Sequence, residues 1–330
     1  MPENDIIMPQ IDKSRRPIRL GYLMIDGFAL MSYAPVIEPF RAANRLSGKT
    51  LYEWKHYSPA GREAMASNGI SFNVDAAITA MEPTDILFVC AGGNPALFRG
   101  AGTLQALRRA ARFGTIIGGV SGGPFILARA GLLDDVRCTI HWEHEEAFLE
   151  TFDRPMLERG LFVIDGDRVT CAGGIAGLDL AAVLIGRDQG AELADKVSDW
   201  YIQTEQRQAE RPQRHSIIQR YRITHPGLEK VLAAMEANVA EPLQRDALAV
   251  TAKVSVRQLE RLFKRYVGTS IAAHAQTLKL NLAYKLLVET TGSITEISAA
   301  SGFASQSHFS RSFAKKFGAN PSDLRRYGRT

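Results

Sequence analysis

The stretch "IIGGVSGGPF" (residues 116–125) carries the reading of the fold. An apolar run leads into Gly119, Ser121 and Gly123, which spell G-x-S-x-G, and an apolar helical pattern follows. This predicts a buried strand that turns sharply into a helix and lifts Ser121 at the turn. In open α/β sheets, ligands sit beyond the carboxyl ends of such strands.

Outward from this elbow the pattern repeats over residues 18–200. "IRLGYLM" (18–24), "DILFVCA" (85–91) and "TIIGGV" (115–120) read as short buried strands. "SYAPVIEPFRAANRL" (32–46), "TLQALRRAAR" (103–112), "GGPFILARAGLL" (122–133) and "IAGLDLAAVLIGRD" (175–188) read as helices. The alternation predicts an α/β domain with a parallel sheet covered by helices.

Two further motifs follow strands. The glycines of "CAGGNP" (90–95), Gly92 and Gly93, offer backbone amides to an anion or carbonyl, as do the amides near Gly122. "CTIHWEHEEAF" (138–148) places His141, Trp142 and Glu143 after a short strand. Three readings of Ser121 stay open: a serine hydrolase or amidase, a structural turn, and a ligand pocket kept from an enzyme fold. An α/β-hydrolase orders its triad Ser, acid, His. Here Glu143 and Glu145 come after His141, which favours the pocket and no catalytic residue. His141 and His144 lack further partners at zinc spacing, so neither a metal nor another cofactor is expected.

Three cysteines, Cys90, Cys138 and Cys171, are widely spaced and odd in number. They predict free thiols in a reducing cytoplasm. No apolar run reaches the roughly 20 residues that span a bilayer. Residues 1–17 read as a disordered tail.

The net charge of +5 is unevenly spread. Residues 241–330 hold 14 Lys and Arg against 6 Asp and Glu, which leaves 26 against 29 for residues 1–240. A basic third beside a mildly acidic remainder suggests a nucleic-acid partner for that third.

That third repeats itself. At an offset of 50, "SVRQLERLFKRYVG" (255–268) matches "SQSHFSRSFAKKFG" (305–318) in Ser255/Ser305, Arg261/Arg311, Phe263/Phe313 and Gly268/Gly318. Each copy reads as a helix with a serine N-cap, an apolar stripe at 3.6-residue spacing and a glycine stop. Shorter helices precede them at "RDALAVTA" (245–252) and "ITEISAASG" (294–302). Helix, tight turn and second helix with a polar face describe a helix-turn-helix whose second helix enters the major groove of double-stranded DNA.

Residues 228–327 resemble the AraC/XylS-type DNA-binding domain, most closely in "ITEISAASGFASQSHFSRSFAKKFGANPSDLR". The resemblance implies two helix-turn-helix units joined by a long helix at about 270–289. It puts the base-reading positions at Arg257, Gln258, Glu260 and Arg261, and at Gln306, Ser307 and Arg311. Residues 18–200 resemble the PfpI-like superfamily, which shares a flavodoxin-like fold with class I glutamine amidotransferases. Its elbow cysteine, first-helix glutamate and following histidine fall on Ser121, Glu38 and His141; the cysteine has become serine, a poor nucleophile without a base.

The two resemblances together describe the GlxA-like transcriptional regulators. "GGVSGGPFILARAGLLD…CTIHWEHEEAF" is similar to the subgroup that governs catabolism of glycine betaine, carnitine and related methylated amines. The resemblance implies a small-molecule effector, a homodimer, RNA polymerase as a partner, and activation. Residues 201–227, polar and rich in glutamine, read as a linker that is either an extended tether or a frayed helix.

Overall fold

The computed structural model describes residues 16–290 and 292–327. The chain divides after Gln213 into two compact units. Residues 1–15 of the expected tail lie outside the described residues. Arg16 is anchored, with both terminal nitrogens on the Asp85 carboxylate at 2.6 and 2.7 Å.

The first unit is built on a sheet of seven strands. In chain order its strands are β1 (Ile18–Met24), β2 (Tyr52–Ser58), a side hairpin of β3 (Ala64–Met65) and β4 (Ser71–Phe72), β5 (Ala76–Ala77), β6 (Ile86–Ala91) and β7 (Ile116–Ser121). A small separate pair follows, β8 (Arg137–Cys138) with β9 (Met156–Leu157), then β10 (Phe162–Asp165) and β11 (Arg168–Cys171). The sheet order is β10-β11-β7-β6-β1-β2-β5, parallel except between β10 and β11. The helices are α1 (Leu30–Ser47), α2 (Ala101–Arg112), α3 (Gly123–Arg129), α4 (Glu145–Thr151), α5 (Ala176–Gln189) and α6 (Ala191–Trp200).

Strand alternation sends side chains to opposite faces. Leu20, Tyr22 and Met24 join one core with α1, α5 and α6, while Leu23 joins the other with α2, α3 and α4. β6 and β7 are buried along their whole length, which explains why they read as continuous apolar runs. The helix α1 contains Pro35 and Pro39. Two buried or half-buried tyrosines bind carbonyls of this interrupted helix: Tyr22 Oη donates to Val36 O at 2.8 Å and Tyr201 Oη to Glu38 O at 2.7 Å.

The second unit is all helix: α7 (Ile217–Tyr221), α8 (Pro226–Ala237), α9 (Arg245–Ala252), α10 (Val256–Leu262), α11 (Ile271–Glu289), α12 (Ile294–Ala300), α13 (Gln306–Phe317) and α14 (Pro321–Tyr327). It holds two cores, and α11 serves both, through Ile271 in one and Leu280, Ala283, Leu286 and Leu287 in the other. The caps lie where the repeat places them. Ser255 accepts from the Gln258 amide and Ser305 from the His308 amide, both at 3.3 Å. Gly268 and Gly318 close their helices with φ of 78° and 74°. The copies differ at one point: α10 passes into a π-helical turn at Phe263–Val267, whereas α13 stays α-helical to Phe317.

The segment read as a linker, 201–227, is divided between the units. Residues 201–213 lie on the first, through Tyr201, Gln203, Arg207 and Gln213. Residues 214–227 belong to the second, where α7 is held by Arg220 on Glu236 at 2.9 and 2.6 Å.

Candidate effector pocket and nucleic-acid interface

The carboxyl ends of β1, β6, β7 and β11 are aligned by register: Met24 with Cys90, Ala91 with Ser121, and Cys171 with Val120. The loops that leave these strands converge around Ser121. The chain turns there with Ser121 at φ 59°, a conformation that costs a side-chain-bearing residue roughly 1–2 kcal/mol. The turn needs its glycines for space. A Cβ on Gly123 would lie 2.0 Å from the Val89 carbonyl oxygen, and one on Gly119 would lie 2.8 Å from the Pro124 nitrogen.

Gly92 packs beside Ser121's neighbour on β6, with the Gly27 carbonyl 2.7 Å from where its Cβ would be. The Gly122 amide donates to Ala91 O at 2.9 Å, so the expectation that it holds a ligand carboxylate is corrected: it is spent on the fold. Gly93, at φ 57°, has only the Gly27 carbonyl near its Cβ position. Half-buried Arg129 donates to the carbonyls of Ala96 at 2.9 Å and Phe98 at 2.8 Å and fixes the loop beyond. Burial, with Arg99 nearby, lowers its pKa to about 10.

His141 reaches the elbow through its backbone, donating its amide to Ser121 O at 3.2 Å. Its Nδ1 accepts the Glu143 amide at 3.3 Å and lies 3.9 Å from the Glu143 carboxylate. A triad histidine instead holds Nδ1–H on a carboxylate within hydrogen-bond distance and turns Nε2 to the serine proton. The Trp142 ring, half-buried, lies 5.4 Å from the His141 ring, and Glu143 is exposed.

Glu38 does not belong to this group. Its carboxylate accepts from Arg41 Nε at 2.7 Å and Tyr201 Oη at 3.1 Å. The first-helix residue at the elbow is Ser32, about two turns nearer the N-terminus. Ser32 Oγ accepts from the Gly174 amide at 2.8 Å. A Cβ on Gly173 would lie 2.7 Å from both Ser32 Oγ and the Ser121 Cβ. The sequence held a signal for this loop: "CAGG" occurs at 90–93 and again at 171–174, each time at a parallel strand's end. The cysteines are buried, and burial pushes the Cys138 and Cys171 thiols up to about 12 and that of Cys90 higher, which makes them inert at neutral pH. Among the described residues no group of three metal-ligating side chains occurs, and no helix is long and apolar enough to cross a membrane.

In the second unit α9–α10 and α12–α13 form two helix-turn-helix pairs. Arg257, Gln258, Arg261, Gln306, Ser307 and Arg311 are exposed on α10 and α13.

Comparison with known proteins agrees with both halves. Residues 26–186 match the DJ-1/PfpI family and residues 248–327 a helix-turn-helix domain. The HTH-type transcriptional regulator GlxA of Rhizobium meliloti is 41% identical over 95% of this chain and 97% of its own length. The chain belongs to the GlxA-type HTH transcriptional regulators. GbdR, an HTH-type transcriptional regulator of Pseudomonas aeruginosa, is 39% identical over 95% of this chain and 85% of its own. Among solved structures, an AraC family transcriptional regulator from Pseudomonas putida matches 56% of this chain and 100% of its own, with TM-score 0.50 and 25% identity.

In this regulator the basic helices are partly committed to the fold. Glu260, half-buried, accepts from the Ile271 amide at 3.4 Å and lies 4.0 Å from Arg245, so its carboxylate is engaged at the start of α11, beside the N-cap Ser270. The base-reading position that the resemblance puts at Glu260 is thus partly committed to the fold. Gln258 Oε1 accepts the Ser255 amide at 3.0 Å, and Gln306 Oε1 accepts Thr295 Oγ1 at 3.0 Å. Lys316 donates to Asn281 Oδ1 at 2.7 Å, and Lys279 is held by the Gly302 carbonyl. Burial lowers the pKa of both lysines. Arg257, Arg261 and Arg311 keep exposed guanidinium groups; Arg311 Nε makes one long bond, 3.3 Å, to Ser307 O.

Proposed function

We propose that the regulator binds a small zwitterionic or cationic metabolite, a methylated amine, betaine or amino acid, at the elbow and releases it unchanged. The observation that carries this reading is the His141 ring: its Nδ1 accepts the Glu143 amide at 3.3 Å while the Glu143 carboxylate stays 3.9 Å away, so the ring is not oriented as a triad histidine is. An elbow without an oriented base makes a shaped pocket and not a nucleophile. Trp142 offers an aromatic face to an ammonium, a contact worth about 0.5–2 kcal/mol depending on desolvation. Glu143 is the acidic neighbour, since Glu38 is bound to Arg41. Met31 and Ile175, next to Ser32 and Gly174, are 64% and 53% exposed and suit the methyl groups of such a ligand.

Occupancy changes transcription by favouring one conformation over another. The DNA contacts fall to Arg257, Gln258 and Arg261 on α10 and to Gln306, Ser307 and Arg311 on α13. The working form is a cytoplasmic homodimer that recruits RNA polymerase and activates catabolic genes. Twofold assembly is the commonest oligomeric state, and it would pair two half-sites.

Calorimetry with glycine betaine tests the reading. Binding to wild type, weakened in Trp142→Ala, with the ligand's mass unchanged after incubation, is expected. Turnover of the ligand that disappears in Ser121→Ala would overturn the sensor and restore a hydrolase.

A further inference from the structure

The segment between the elbow and the second unit is held mainly by hydrogen bonds, with half-buried Tyr201 and Ala209 packed against the core of the first unit and the Leu161 amide donating to Ala209 O at 2.6 Å. No residue from 201 to 213 is buried. It opens at Ile202, a β-branched residue at φ 59° and 86% exposed, a strained conformation that only its neighbours can enforce. Two clasps follow. The first is on Asp179, fully buried in the first turn of α5: it accepts from Gln203 Nε2 at 2.7 Å, the Arg207 amide at 2.8 Å, Arg207 Nε at 3.1 Å and a terminal Arg207 nitrogen at 2.6 Å. The second is the Gln213 amide. Its Oε1 accepts from the Trp142 amide at 2.8 Å, and its Nε2 lies 2.9 Å from the carbonyls of Ile140 and Gly160 and 3.2 Å from Thr139 Oγ1.

Each clasp ends on chain that leads to the elbow. Asp179 lies five residues beyond Gly174, whose amide is bound to Ser32. Residues 139–142 run from Gln213 to His141, whose amide holds the elbow carbonyl of Ser121. The residue after Gln213 opens the second unit, within which Arg220 holds α7 on Glu236 of α8.

We propose that residues 203–213 are a strap through which pocket occupancy reaches the DNA-binding unit, with Gln213 as the clasp that a ligand on His141 or Trp142 tightens or frees. The strap supplies the regulation of the sensor proposed above and rests on that reading. A segment with no fully buried side chain, packed on the core through the small Ala209, gives up little apolar contact when it lifts, which suits an element with two states.

The test uses the full-length chain and a DNA duplex selected from random sequence by the wild-type protein. Hydrogen exchange over residues 203–213 and DNA affinity are measured in wild type, Gln213→Ala and Gln213→Glu, the last placing a carboxylate against three oxygen acceptors. Both variants are expected to speed exchange in the strap and to shift DNA affinity by about fivefold or more with no ligand added, the lower end of ordinary coupling. Unchanged exchange, or fast exchange with unchanged DNA affinity, overturns the strap. Glycine betaine calorimetry on the same samples separates the two ideas. Betaine binding with unaltered DNA affinity in both variants keeps the sensor and removes the strap. Altered DNA affinity in a protein that binds no betaine keeps the strap and removes that sensor.

Discussion

Gly173 stands over Ser121 so closely that a Cβ on it would fall 2.7 Å from the Ser121 Cβ. Gly174, at φ 56°, has nothing within 4 Å of its Cβ position. Strain alone acts at Gly174, while strain and overlap act together at Gly173, whose φ is 83°. Gly173→Ala is therefore expected to destabilise the first unit by about 1–3 kcal/mol and to abolish ligand binding, with Gly174→Ala milder in both. Thermal unfolding and calorimetry compare them. Equal effects would mean that contact with Ser121 is not what requires glycine.

On α10 two adjacent residues separate recognition from folding. Arg261→Ala should weaken specific DNA binding by roughly 1–3 kcal/mol and relax preference at one base position. Glu260→Ala should instead lower the stability of the second unit, because the α11 amide at Ile271 loses its acceptor. Footprinting at matched salt and thermal unfolding read the two effects. A base-specific change in Glu260→Ala without loss of stability would return that residue to the interface.

Asp179 is fully buried and Arg207 is its cationic partner at 2.6 Å. Removal of Arg207 leaves a buried carboxylate, an effect of about 3–5 kcal/mol. Arg207→Ala should show that loss in denaturant unfolding, and the double variant Asp179→Leu with Arg207→Leu should recover part of it. A double variant less stable than Arg207→Ala would show that the pair stabilises beyond charge compensation.

Burial holds the His274 imidazole below its ordinary 6.5, with Glu236 raising it and Lys316 lowering it. Tyr221 Oη lies 3.5 Å from its Nε2, and the Phe263 ring packs edge-on. Below pH 6.5 the unfolded chain takes up a proton that the folded unit refuses, so stability falls as pH drops from 6.5 toward the folded value. Hydrogen exchange in α11 should quicken over that window, and His274→Gln should flatten the dependence. His56, lowered by burial in the first unit, acts in the same direction there.

The repeat at offset 50, the serine caps and the glycine stops were legible in the sequence because each is settled within one or two helical turns. The strands β1, β6 and β7 were legible because burial on both faces makes them continuous apolar runs. β2, "YEWKHYS", β10 and β11 went unread; β10 and β11 are short, and all three mix polar with apolar residues, so only pairing with neighbours defines them.

The elbow likewise came from local spacing, since Gly119, Ser121 and Gly123 determine the turn through their own φ and their own volume. What surrounds the elbow was decided by the tertiary structure. Ser32 and Glu38 share one helix and both are polar, yet register brings Ser32 to Gly174 and turns Glu38 to Arg41 and Tyr201. Gln213 is 92 residues from Ser121 in the chain, and no periodicity marks it. It meets the loop that holds the elbow because four strands end together and the loops they release must satisfy their backbone groups on whatever passes.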